Sequence, residues 1–142
     1  MTDALPDASE RRTLPTPDRD SAPYWQALAE GRFVLQRCRT CSRWTWPARP
    51  ICSGCHRFDL EWTEASGGGE VYSWVVTHQP YGPDLAKLVP YTVALVRVDE
   101  QDDILIPGRY VGVPDIHQGL RVRAVPEPAT DEIGLLTWDA AG

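Results

Sequence analysis

The chain has 142 residues, 20 of them acidic and 14 basic, for a net charge of -6; 42% are hydrophobic and 24% charged. That length suffices for one ordinary domain, or two very small ones, without disulfides. The acidic balance argues against a dedicated nucleic-acid binder, no apolar run approaches the roughly 20 residues of a membrane span, and the first residues lack the basic-then-apolar pattern of a signal peptide. A cytoplasmic location with reduced cysteines is expected.

Residues 1–20 combine three Pro, five acidic residues and three Arg with little apolar periodicity, which predicts a disordered tail. Ser21 to Gly31 then reads as a helix of two to three turns. Ser21 can cap it, Pro23 fits its first turn, Gly31 stops it, and Tyr24, Trp25 and Leu28 form one apolar face. Phe33-Val34-Leu35 leads into the span 38–55, which holds all four cysteines. After it, Phe58, Leu60 and Trp62 alternate with polar residues as in a strand, and Gly67-Gly68-Gly69 marks a turn or bulge. Five strand-like runs follow: Val71 to His78, Tyr91 to Val98, Ile104 to Val113, Leu120 to Val125 and Ile133 to Trp138. Short strands with no helix between them predict a small closed barrel or a sandwich. No internal repeat is apparent. The expected division is a tail over 1–20, a helix plus cysteine module over 21–66, and a β-domain over 67–142.

The cysteine module reads Cys38-x-x-Cys41, then Cys52-x-x-Cys55. Each pair can place two thiolates on one metal from a tight knuckle, and the two pairs complete a tetrahedron. The spacing predicts a zinc ribbon, with a rubredoxin-type iron site as the alternative. Four thiolates close the site, so the metal is structural; His56 reads as a solvent-facing neighbour of the ligands. Residues 37–57 also carry five Arg (37, 39, 43, 49 and 57) and no acidic residue, leaving nine basic and 20 acidic residues elsewhere. The Arg excess offsets the charge of a metal with four thiolates, or contacts a phosphate-bearing ligand or acidic partner, for which Arg49 is a candidate. Trp44 and Trp46, two apart on a strand, share one face. They suit packing on the β-domain or a partner interface, where Trp and Arg are favoured.

The order of these motifs resembles a known family. Glu30-Gly31-Arg32-Phe33 ends the helix. Leu35-Gln36-Arg37-Cys38-x-x-Cys41 and Trp46-Pro47-x-Arg49-Pro50-x-Cys52-x-x-Cys55 make the module. Val71-Tyr72-Ser73-Trp74, Val89-Pro90-Tyr91-x-Val93-Ala94-Leu95-Val96 and Gly119-Leu120-Arg121-Val122 follow. Together they are similar to the bacterial and archaeal proteins long catalogued as domain of unknown function thirty-five. Where relatives more often have a Gly-Asn or similar pair, this chain has Ile106-Pro107-Gly108-Arg109-Tyr110, so that strand's ligand contact is not carried over. The resemblance implies a mainly β fold: an N-terminal helix, a rubredoxin-like zinc ribbon and a five-stranded OB-fold barrel. It also implies a non-catalytic accessory subunit of a thiolase-superfamily enzyme, including lipid-transfer-protein-like thiolases and steroid side-chain aldolases. The partner would hold the catalytic residues while the OB-fold helps bind an acyl-CoA thioester.

The residues themselves offer no catalytic set. No cysteine is spare for thioester chemistry. His78 stands at a strand end, His117 in an acidic surface turn, and Asp99 to Asp103 reads as a solvated turn. The connection from His78 to Pro90 is the more interesting segment, because OB-folds commonly use the loop after their first strand for ligands. It holds Tyr81 and the chain's one lysine, Lys87, and leads to Tyr91; with His78 these are the candidate CoA or partner contacts. Two other readings stay open: a scaffold that touches no ligand, and a nucleic-acid OB module. The second is disfavoured, because residues 66–142 carry 11 acidic and five basic residues where a strand-binding groove is basic.

Overall fold

In the computed structural model, which describes residues 14–80, 82–83, 86–112 and 115–141, one helix precedes eight strands. Residues 1–13 of the expected tail lie outside the described residues. Helix α1, Ala22–Ala29, carries Pro23 in its first turn and buries Tyr24, Ala27 and Leu28. Ser21 precedes it, but its hydroxyl makes no cap. It accepts the Asp18 N–H at 3.2 Å, while the Asp18 carboxylate accepts the Ser21 N–H at 2.7 Å. This reciprocal turn takes up the side chain that would otherwise cap. Gly31, at φ +81°, then reverses the chain, as only glycine does without strain.

Three short strands build the cysteine module: β1 (Val34–Cys38), β2 (Trp44–Thr45) and β3 (Leu60–Glu64), antiparallel in the order β2-β1-β3. The five strands that follow are β4 (Gly68–Thr77), β5 (Tyr91–Val98), β6 (Leu105–Tyr110), β7 (Arg121–Pro128) and β8 (Gly134–Ala140). They close a barrel in the order β4-β5-β6-β8-β7, which settles the choice between barrel and sandwich. No helix among the described residues is long and apolar enough to cross a membrane.

Alternation along the strands turns Val71, Ala94, Val96, Ile106, Val122 and Trp138 into the barrel, all essentially inaccessible to water. The Trp138 indole fits because β6 presents Gly108 to it; a Cβ there would stand 2.8 Å from the ring. Phe33, at the entrance to β1, meets the same indole edge-on with centroids 6.0 Å apart. Helix, ribbon and barrel therefore share one core. The turn 99–103 joins them further. Gln101 brackets the Trp44 backbone, accepting its N–H at 3.0 Å and donating to its carbonyl at 2.9 Å, and Asp103 pairs with Arg43 at 2.5 Å. Asp99 takes two bonds from Arg121, at 2.9 and 2.6 Å, and the guanidinium holds its carboxyl below the usual range. The turn is thus engaged rather than merely solvated, because the ribbon and β7 bring arginines of opposite charge to it.

Two irregularities of the barrel matter for function. The parallel pair β6–β8 has two rungs, Arg109↔Thr137 and Tyr110↔Trp138, and Pro107 just upstream has no N–H to extend it. The strands part there, under α1 and the ribbon. The second irregularity is on β4. It pairs with β7 over Gly68 to Glu70, and Val71 still bonds to Gly119 and Leu120. A bulge follows between Val71 and Ser73. Beyond it, among the described residues, β4 has β5 as its one neighbour.

Candidate functional site

The four cysteine sulfurs lie within 4.8 Å of one another, with Cys38–Cys55 and Cys41–Cys52 each at 3.6 Å. A tetrahedral zinc–thiolate centre has sulfur–sulfur edges of about 3.8 Å, so the set fits that metal and leaves no open position. Backbone donors prepare the sulfurs: the Cys41 N–H reaches Cys38 Sγ at 3.5 Å and the Gly54 N–H reaches Cys52 Sγ at 3.3 Å. Such donors favour the thiolate. The Cys41 N–H is the main cause of the lowered Cys38 thiol, and the Cys55 N–H of a Cys52 thiol brought down to about 6.

The two knuckles are copies. Ser42 N–H donates to the Cys38 carbonyl at 2.9 Å, and His56 N–H to that of Cys52 at 3.1 Å. Cys38 and Cys52 donate in turn to the Arg43 and Arg57 carbonyls, at 2.9 and 3.0 Å. Ser42 and His56 both adopt the left-handed region, with φ of 67° and 63°. The pattern Cys-x-x-Cys-x-Arg, present twice, is the sequence signal for this repeat. His56 therefore holds a backbone position rather than a metal. His56→Gly should leave stability unchanged or raise it by up to about 1 kcal/mol, whereas β-branched His56→Val should cost about 1–2 kcal/mol. Thermal melts at constant metal content check both.

Most of the ribbon's arginines are spent internally. Arg37 lies over the Trp44 ring at 5.1 Å, Arg39 pairs with Asp59 at 3.0 Å, and Arg43 reaches Asp103 as above. The Arg49 guanidinium, exposed, has no ion pair among the described residues.

Where β6 and β8 part, an apolar cleft of about 520 Å³ opens at the junction of helix, ribbon and barrel. Tyr24 and Trp25 of α1 form one wall, and Trp46, Pro47 and Ala48 of the ribbon a second. The barrel supplies Leu88, Tyr91, Pro107, Arg109 and the start of β8. The Tyr24 hydroxyl is bonded by Trp46, and burial pushes its phenol far above the ordinary value. The ribbon wall is held by Gln36, a buried amide that donates to the Arg49 carbonyl and accepts the Arg49 N–H, both at 2.8 Å. Arg109 donates from Nη2 to Glu127 at 3.1 Å, while its Nε–H is shielded from water without an acceptor.

The candidates named from sequence scatter around this cleft. Trp46 and Tyr91 line it. Arg49 and Lys87 are exposed, each next in sequence to a lining residue, Ala48 or Leu88. Trp44 is half-buried on β2, His78 is exposed just past β4, and Tyr81 lies outside the described residues. Sequence reasoning missed Tyr24, Trp25 and Arg109 as site residues. The first two read as a helix's core face, and Arg109 stood in the strand segment that departs from the family pattern.

Comparison with known proteins agrees with this architecture. Residues 25–61 match the family model described as ChsH2, rubredoxin-like zinc ribbon domain, and residues 62–127 that of the ChsH2 C-terminal OB-fold domain. The chain is 42% identical over 89 residues to a probable enoyl-CoA hydratase alpha subunit of Thermomonospora curvata, a match covering 63% of this chain but 27% of that protein. It is 34% identical over 106 residues to a DUF35 domain-containing scaffold protein of Methanocaldococcus jannaschii, covering 71% of this chain and 72% of the relative. A solved structure, the Ltp2-ChsH2(DUF35) aldolase, contains a chain that superimposes with a TM-score of 0.79 at 34% identity, over 90% of this chain and 99% of that one. With its zinc-ribbon module, its five-stranded OB barrel and these relatives, the chain belongs to the DUF35 family.

Proposed function

We propose that this chain is a non-catalytic accessory subunit. It docks on a thiolase-like enzyme of the lipid-transfer-protein type and helps that enzyme bind acyl-CoA thioesters. The reaction is carbon–carbon bond cleavage or formation, such as retro-aldol shortening of a steroid side chain. The observation that carries the docking is the second half of β4. From Tyr72 to Thr77 this strand has no charged residue and, among the described residues, one sheet neighbour, and it exposes Tyr72, Trp74, Val75 and Val76, with Val75 at 62%. Edge strands that stay free are normally guarded by charge or proline; this one is not, and it presents contiguous apolar surface. The names of the relatives, a hydratase alpha subunit, a scaffold protein and a two-component aldolase, support a subunit role. The CoA ester rests on the hydratase name and on the cleft. Zinc held by Cys38, Cys41, Cys52 and Cys55 has a supporting part here, fixing the ribbon rather than meeting substrate.

Co-expression with a thiolase-superfamily protein of the same organism should give a stable heteromer by size-exclusion chromatography. Val75→Lys should weaken that heteromer at least about ten-fold, since one desolvated charge on a docking strand costs more than 1.4 kcal/mol. The variant's own melting curve should not change. A wild-type chain that stays apart from every such protein overturns the reading. A second reading, a scaffold that touches no ligand, is favoured by the scaffold name of the archaeal relative. It predicts that the cleft binds no acyl compound.

A further inference from the structure

We infer that the free edge of β4 receives an added strand. An extended, uncharged segment of the thiolase-like partner hydrogen-bonds to the backbone of Trp74 and Val76 and lengthens the barrel sheet by one strand. This rests on the docking reading above and deepens it, by naming the kind of segment that docks and the backbone groups that hold it.

The first argument is the phase of the backbone. In an antiparallel pair each residue turns its N–H and C=O to one side, and successive residues alternate. The Asp99 N–H donates to the Gly68 carbonyl at 3.0 Å, and the Val98 N–H to the Ile104 carbonyl at 3.2 Å. The odd-numbered residues of β5 therefore face β4 and the even-numbered ones face β6. Beyond the bulge, Val75 lies opposite Val93 and Thr77 opposite Tyr91, so these two bond inward. Trp74 and Val76, opposite Ala94 and Thr92, turn their N–H and C=O to the other edge, where no strand among the described residues meets them. The second argument is exposure. Trp74 and Val76 project to one face of the strand and Ser73 and Val75 to the other, and all four are exposed. A flat partner surface covers one face and leaves the second face and the edge in water. A strand laid along the edge satisfies the backbone and sets side chains beside both faces. The third argument is continuity. On this same edge β4 already carries β7 over Gly68 to Glu70, and Val71 holds Gly119 and Leu120. An added strand continues that lane past the bulge and leaves the barrel as it is. Charge then selects the occupant. With no charged residue from Tyr72 to Thr77, a charge on the incoming segment would be buried without a partner. The segment is therefore uncharged and rich in β-branched residues, as Trp74-Val75-Val76-Thr77 is itself.

The test is amide hydrogen exchange, read residue by residue on the full wild-type chain, alone and in its heteromer with the co-expressed thiolase-superfamily protein. In the free chain the Trp74 and Val76 amides should exchange at least about a hundred-fold faster than those of Val75 and Thr77, and the heteromer should slow them by a similar factor. Edge amides that stay fast in an intact heteromer overturn the added strand and leave the docking standing. Failure of any heteromer to form removes both. Two variants separate backbone from side chain. Val76→Ala trims the side chain and keeps the N–H, and should weaken the heteromer by no more than about three-fold. Val76→Pro removes the N–H and leaves a partner carbonyl unpaired, and should weaken it at least about ten-fold more than Val76→Ala does. Proline is tolerated on a free edge, so the two variants should melt within about 5 °C of each other when alone. Equal weakening by the two would mean that side chains alone make the contact, and would overturn the added strand. The exchange measurement on the wild-type chain stands whether or not the proline variant folds.

Discussion

Removing the metal is expected to unfold residues 33–62. The ribbon strands have five, two and five residues, too little surface to hold a sheet alone. Structural zinc contributes an apparent binding free energy of about 10–16 kcal/mol in small modules, as much as the entire stability of an ordinary domain. Without it, sulfurs 3.6 Å apart lose the charge that holds them together. The loss should spread, because Phe33 leaves Trp138 and the Gln101 bracket on Trp44 opens. Titration with a chelator, followed by far-UV circular dichroism and tryptophan emission, should show loss of the ribbon and a destabilised barrel, both restored by zinc. Cys52→Ala should reproduce the unfolding. Metal analysis should find one zinc per chain in a colourless protein; visible absorption would mark the iron alternative. Ribbon amides that stay protected after complete metal removal would contradict the structural role.

Gly134→Ala is expected to be the most damaging single methyl in the chain. At the first residue of β8, a Cβ would collide with the backbone of Leu28 and Ala29 in α1. These are main-chain atoms of a helix seated on the core through Tyr24, Ala27 and Leu28, so no side chain can swing aside. Relief requires α1 to lift from β8, taking Tyr24 and Leu28 out of the shared core and the cleft wall with them. We expect a cost of about 3 kcal/mol, or a melting temperature roughly 10 °C lower. Gly119→Ala is the control. Its Cβ would meet nothing within 4 Å, and its φ of +87° alone should cost about 1 kcal/mol. Equal effects of the two would mean that α1 does not seat on β8 as described.

Much of this was readable from the residues, for reasons that differ by element. The four thiolates were legible because metal geometry permits few spacings. The barrel strands were legible because a half-buried strand alternates. The resemblance then named the ribbon and the OB-fold, and the family models match it. The cleft was not legible. It is built from three separated segments, and Tyr24, Trp25 and Leu135 carry the same apolar signal whether they line a core or a ligand site. The free edge of β4 was hidden for another reason. Tyr72-Ser73-Trp74-Val75-Val76 reads as a good strand, but which of its two edges is paired depends on where β7 stops. The turn 99–103 looked solvated because its arginine partners lie far away in sequence.

Gln36 and Gln101 do the same thing in two places: each side-chain amide faces a backbone amide and exchanges both hydrogen bonds with it. Neither group titrates, and neither bond is screened by salt. The surface ion pairs around them, Arg39–Asp59 and Arg43–Asp103, weaken as acid protonates the carboxylates or as ionic strength rises. The wall of the cleft and the joint between ribbon and barrel therefore each keep a pair of contacts that does not depend on charge, and in the joint that pair stands beside Arg43–Asp103, which does.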